Sequence, residues 1–118
     1  MNPESKHVLI DAWGVPFSLL DNQFFIEKAL LEIAKATGST VVGKVSHKFK
    51  PQGVSAVVLV AESHCAIHTY PEENYFSADI FTCGNTDPEK AIPLIEKLFK
   101  PSIMRTRIIV RGRKSKRR

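Results

Sequence analysis

"TVVGKVSHKFKPQGVSAVVLVA" (residues 40–61) changes character halfway along. From Thr40 to Phe49, Val41, Val45 and Phe49 share one face while Lys44 and Lys48 take the other, the period of two that marks a half-buried strand. "KPQG" (50–53) supplies the proline and glycine of a tight turn, and "VSAVVLVA" (54–61) is apolar almost throughout, as a central strand is. The two runs predict an antiparallel hairpin, and the rest of the chain is read outward from it.

Upstream, "HVLIDAW" (7–13) is β-prone and "GVP" (14–16) ends it with turn residues. Residues 21–37 repeat apolar groups at Phe25/Ile26, Ala29/Leu30 and Ile33, with Asp21 as N-cap and Gly38 placed to stop them, which predicts an amphipathic helix. Downstream, "PEEN" (71–74) turns the chain and "YFSADIFTC" (75–83) alternates as a strand. "NTDPEKAIPLIEKLFK" (85–100) predicts a helix with Asp87 as cap and Pro88 at its first position, and Pro93 imposes a kink or a short first turn. "IMRTRIIV" (103–110) is the last strand, with Arg105 and Arg107 on one side. The order β-α-β-β-β-α-β predicts an α+β two-layer sandwich, a mostly antiparallel sheet with two helices on one face. The other face of such a sheet needs cover, so a homodimer packed sheet against sheet, in four αββα layers, is expected.

Length and composition fit one domain: 118 residues, 43% apolar and 25% charged. The net charge of +5 is local. Six of the 17 basic residues lie in "RGRKSKRR" (111–118), leaving residues 1–110 with 11 basic against 12 acidic groups. Residues 113–118 are read as a disordered basic tail that attracts anions without defining a function, so no specific nucleic-acid partner is expected. Cys65 and Cys83 have no C-x-x-C spacing, "MNPESKH" lacks an apolar leader, and no run approaches a membrane span; a cytoplasmic protein is expected.

The chemistry concentrates just after the hairpin. "ESHCAIHTYPE" (62–72) places Glu62, Ser63, His64, Cys65, His68 and Glu72 close together, and Cys83 follows in "FTCGN" (81–85). Singly, each has an ordinary structural role. A zinc site of His64, Cys65, His68 and Cys83 is chemically conceivable, but His64 and Cys65 point apart on one strand, so no metal is expected.

The block "ESHCAIHTYPE", with "YFSADIFTCGN", "KHVLIDAWG", "FIEKAL", "HKFKPQGVSAVV" and the final Arg-Gly, resembles the bacterial and archaeal S-adenosylmethionine decarboxylase proenzymes over residues 6–112. Val15, Tyr70 and the Cys65-Ala66 pair depart from the commoner residues of that family without removing a group assigned to chemistry. The resemblance implies a single decarboxylase domain (1–112) that cuts itself between Glu62 and Ser63 into a β chain (1–62) and an α chain (63–118). It implies that Ser63 becomes a pyruvoyl group forming a Schiff base with S-adenosylmethionine, with no pyridoxal phosphate, to supply the aminopropyl donor for spermidine. His68 is the implied proton acceptor in processing, Ser55 a processing residue, Cys83 the proton donor in decarboxylation, and Phe49 and Glu72 the implied substrate contacts. Asp11 and Asp79 are further acidic candidates. The same chemistry on ornithine or arginine is the alternative.

One difficulty is geometric. In a regular strand residues 63 and 68 point to opposite faces, and Ser55 lies across the hairpin from Ser63, so a bulge at Ser63–Cys65 is predicted to bring them together.

Overall fold

The computed structural model describes residues 3–114. Six strands form one sheet: β1 (Ser5–Trp13), β2 (Thr40–Lys48), β3 (Val54–Ala61), β4 (Ser63–Tyr70), β5 (Tyr75–Cys83) and β6 (Ile103–Arg111). Their order across the sheet is β2-β3-β4-β5-β1-β6, and every neighbouring pair is antiparallel. The strand order predicted from sequence lacked β4. Its residues Ser63–Tyr70 form a full strand in continuous register with both neighbours.

A one-turn helix α1 (Phe17–Leu20) precedes α2 (Gln23–Ala36), and α3 (Ala91–Phe99) follows a 3-10 turn at Pro88–Lys90. Helix α2 starts one residue later than predicted, because Asn22, not Asp21, accepts the Phe25 amide at 3.0 Å. Asp21 is engaged elsewhere: its carboxylate accepts the Gly53 amide at 2.8 Å and pairs with Lys48 at 2.9 Å, tying the β2–β3 turn to the helix entrance. These contacts, the Gly53 amide foremost, hold the Asp21 carboxyl below its ordinary pKa. Asp87 caps the 3-10 turn by accepting the Glu89 amide, and Pro93 falls in the first turn of α3, where its missing donor leaves no bond unmade. This is the short first turn that Pro93 implied.

Both long helices cover one sheet face. Val8, Ile10 and Ala12 of β1, Val54, Ala56, Val58 and Val60 of β3, and Phe76 and Ile80 of β5 are buried with Ile26, Leu30 and Ile33 of α2 and Ile95 and Phe99 of α3. Phe99 packs between Phe25 and Phe76, with ring centroids 5.4 and 4.6 Å away; truncating such a ring to alanine costs about 3–5 kcal/mol. Alternation sends His7, Ser55, Leu59, His64, His68, Asp79 and Cys83 to the opposite face, which no helix covers. Leu59 and Val45 are 53% and 66% exposed there, an apolar surface without cover in the single chain.

Gly112, at φ 80°, closes β6 against the start of the chain: a Cβ there would stand 2.3 Å from the Pro3 carbonyl oxygen. Of the predicted tail, Arg113 pairs with Glu4 at 2.6 Å, while residues 115–118 lie outside the described residues. No described helix is long and apolar enough to cross a membrane.

Candidate active site

The candidate residues fall into two groups at opposite ends of β4. The first surrounds the β3–β4 turn. Ser63 is paired with Val60 and Thr82 and has φ 107°, a left-handed value that a non-glycine residue adopts at a cost of about 1–3 kcal/mol. The Cys83 thiol donates to the Glu62 carboxylate at 3.3 Å and lies 3.9 Å from the Glu62 carbonyl oxygen, one atom from the Glu62–Ser63 peptide bond. Ser5 and Cys83 face each other in the β1–β5 ladder and line a cavity of about 210 Å³ with Lys6, Thr82 and Gly84.

Burial chiefly, and then the Glu62 carboxylate, push the Cys83 thiol above its ordinary pKa; hydrogen bonding with Ser63 and Ser5 acts the other way. At neutral pH the thiol is therefore protonated, the state a proton donor requires. Cys65, one strand away, is fully buried among the core residues, and desolvation, followed by the charge of Asp79, pushes it up to about 12.

The second group occupies the other end of the same strand pair. Ser55 and His68 are opposite each other in the β3–β4 register, with Ser55 Oγ 2.7 Å from His68 Nδ1. Phe49, Tyr70 and Glu72 line a cavity of about 290 Å³ with them. Phe49 is 45% exposed and meets the His47 ring edge-on at 4.6 Å, while Gln52 donates to the Glu72 carboxylate at 3.3 Å. An exposed aromatic face, a carboxylate and a Ser–His pair thus share one concavity, whose volume is at the scale of a small ligand.

The predicted bulge at Ser63–Cys65 is absent. The ladders on both sides of β4 run without a shift, and the only irregularity in the β2–β3 pairing lies between Val41 and Gly43. The departure from ordinary strand geometry lies instead in the φ of 107° at Ser63. Because β4 stays regular, five residues separate Ser63 from His68 by about 16 Å along the strand. Ser55 and His68 therefore do not meet Ser63 within one chain.

The zinc reading fails on the same geometry. Cys65 faces the core, His64 the open sheet face, and His68 lies at the far end. The acidic candidates have defined partners. Asp11 accepts the Tyr75 hydroxyl at 2.5 Å; burial first, and then this bond, raise Tyr75 to about 12. Asp79 Oδ2 lies 2.8 Å from Nε2 of both His7 and His64. His7 escaped the sequence reading because it is 72 residues from Asp79, and only the strand order brings them together.

Known proteins share this sequence pattern and this fold. The profile of the S-adenosylmethionine decarboxylase family matches residues 6–112. An S-adenosylmethionine decarboxylase proenzyme 2 of Bacillus anthracis is 44% identical over 108 residues, spanning 91% of this chain and 88% of that one. An S-adenosylmethionine decarboxylase proenzyme of Methanococcus maripaludis is 44% identical over 113 residues, 95% of this chain and 93% of that one. The crystal structure of the Aquifex aeolicus adenosylmethionine decarboxylase superposes with a TM-score of 0.86 at 29% identity, covering 97% of this chain and 95% of that one. A Trypanosoma brucei AdoMetDC monomer shares the fold, with a TM-score of 0.63 at 18% identity; the match covers 89% of this chain but 45% of that one.

Proposed function

The chain belongs to the S-adenosylmethionine decarboxylase family, and from that membership we propose that it cuts its own Glu62–Ser63 bond and then decarboxylates S-adenosylmethionine. The observation that carries this reading is the meeting of Glu62, Ser63 and Cys83 at a strained turn, with the thiol kept protonated beside the scissile bond. The relatives' designation as proenzymes supports a precursor that must be processed.

In the first step the Ser63 hydroxyl adds to the Glu62 carbonyl carbon, the amide nitrogen leaves with the hydroxyl proton, and an ester replaces the peptide bond. Proximity makes this feasible, and the left-handed backbone at Ser63 removes part of the stability of the starting state. A base then takes the α-proton of residue 63, and the Glu62 carboxylate departs with the serine oxygen. Water enters as ammonia is lost, leaving a pyruvoyl terminus on residues 63–118. That terminus supplies the electrophilic carbonyl that accepts electrons as carbon dioxide leaves. No pyridoxal phosphate enters this reading.

His68 fits the role of base, since Ser55 beside Nδ1 orients its ring and an imidazole nitrogen is a proton acceptor. With about 16 Å of strand between His68 and Ser63, it acts on a second copy of the chain. A two-fold pairing of the open sheet faces covers Leu59 and Val45 and brings each Ser55–His68 pair to the partner's cleavage turn, in the four αββα layers expected of such a dimer. The shared site then contains Phe49, whose ring suits a nucleoside and a sulfonium, and Glu72, which suits ribose hydroxyls. An aromatic wall of this kind favours S-adenosylmethionine over ornithine or arginine. Cys83 returns a proton to the decarboxylated carbon. Both cysteines are free thiols, which suits a reducing cytoplasm.

The test is the intact mass of freshly purified protein followed by carbon dioxide release from S-adenosylmethionine, ornithine and arginine. Two fragments, 1–62 and a blocked 63–118, with release from S-adenosylmethionine alone, are expected. Ser63→Ala gives one full-length, inactive species. A Ser63→Ala protein that still released carbon dioxide would end this reading.

A further inference from the structure

His64 follows the scissile serine directly, and its ring is held from the side. Its Nε2 lies 2.8 Å from Asp79 Oδ2, and the same oxygen lies 2.8 Å from His7 Nε2, so one carboxylate of β5 ties β4 to β1. Arg111 of β6 stands 3.3 Å from His7 Nδ1 and 4.6 Å from the Phe81 ring. A guanidinium only donates, so His7 Nδ1 accepts and the imidazole proton sits on Nε2, aimed at Asp79. Phe81 stacks on His7 at 4.7 Å and meets His64 edge-on at 5.8 Å, which fixes both ring planes. Four strands converge on this bracket, yet none of its groups has a role in the steps above.

Two imidazoles and a carboxylate within 4.8 Å of one another are also a donor set for a transition metal. Coordination through His7 Nε2 requires the proton on Nδ1, where Arg111 already donates. The hydrogen-bonded state is the one the surroundings select.

What the bracket accomplishes follows from its neighbour. Ser63 holds a left-handed φ of 107°, and a non-glycine residue keeps such a conformation only when its surroundings over-determine it. Glu62 is tied to Cys83 on one side. On the other side the first anchored side chain is His64. We propose that the His7–Asp79–His64 bracket is a positioning device for self-cleavage: it fixes residue 64 so that Ser63 stays in the conformation that directs its hydroxyl at the Glu62 carbonyl carbon. The inference rests on the self-cleavage reading and assigns three residues to it that touch no reacting atom.

The experiment follows the conversion of full-length chain, translated in vitro, into its two fragments by intact mass over time. His64→Ala and Asp79→Ala are each expected to slow cleavage by about tenfold to a hundredfold, the cost of a misplaced reacting group. His64→Gln, whose side-chain amide can donate to Asp79, recovers the rate to within about threefold of the wild-type chain. Melting temperatures should stay within about 4 °C of the parent, separating misalignment from loss of fold. If His64→Ala fails to melt cooperatively, His7→Ala against His7→Gln is read in the same way. A wild-type chain that never cleaves overturns the function proposed above. Normal wild-type cleavage with both alanine variants within about threefold of it overturns the bracket alone, as does a slowing that glutamine does not reverse.

Discussion

Ser55 and His68 face each other across β3 and β4 with Oγ 2.7 Å from Nδ1, at the end of the sheet away from Ser63. This pairing has a direct consequence for subunit cooperation. A Ser63→Ala chain and a His68→Ala chain should each remain unprocessed alone. Co-expressed with distinguishable tags, the His68→Ala chain should be converted by its partner's intact Ser55–His68 pair. Intact masses of the two tagged chains provide the check, and failure of both chains to convert would sink the second-copy arrangement.

Cys83 links reactivity to pH. Its thiol is raised above the ordinary value, chiefly by burial and then by Glu62, so the proposed donor is intact at neutral pH and is lost as pH climbs through the raised pKa. Turnover should therefore fall on the alkaline side, above about pH 9. Alkylation of Cys83 by iodoacetamide should speed up over the same range. Cys83→Ala should lower decarboxylation per processed chain by on the order of a hundredfold. Fast alkylation at pH 7 would contradict a protonated donor.

The concavity at the other end predicts a binding phenotype. Phe49→Ala and Glu72→Gln should each raise KM for S-adenosylmethionine by roughly tenfold, the loss of one stacking or charge-assisted contact. The conversion of precursor into fragments should be little affected. Steady-state kinetics on processed protein separates the two effects, and an unchanged KM in both variants would remove this cavity from substrate binding.

Cys65 predicts a stability profile. A buried thiol raised from 9.0 to about 12 contributes stability in full below pH 9, and this is lost as pH rises toward 12. Three pKa steps correspond to about 4 kcal/mol as an order of magnitude. Urea midpoints for the parent should fall between pH 9 and 12 more steeply than those of Cys65→Ala. Some fall remains in the variant, because Tyr75 is raised to about 12 as well. Parallel curves would show that the thiol does not carry the effect.

Most of the sheet was legible because its core side alternates plainly, as Val54, Ala56, Val58 and Val60 do. Strand β4 was not, and the reason is chemical. Its open-face positions carry His64 and His68, and Cys65, Ala66 and Ile67 are all buried, so neither a period of two nor an unbroken apolar run survives. The bulge expected at Ser63–Cys65 was the right response to a parity conflict but the wrong device. β4 keeps its register through the left-handed Ser63, and the proposed pairing with a second chain takes the bulge's place. Asp21 resembled a helix cap because the sequence does not show that the Gly53 amide and Lys48 compete for its carboxylate. The site residues named from sequence are all present, but their division between two ends of the sheet required the register.

The proposed scission after residue 62 would leave two polypeptides whose ribbons alternate across the sheet: β2 and β3 from the first, β4 and β5 from the second, then β1, then β6. Three of the five ladders join one polypeptide to the other. The pieces are braided rather than stacked, so they should co-migrate through dilution and gel filtration until a denaturant dismantles the sheet. Maturation of the proposed kind would therefore expose a new reactive terminus in the middle of the molecule without loosening the frame that aims it.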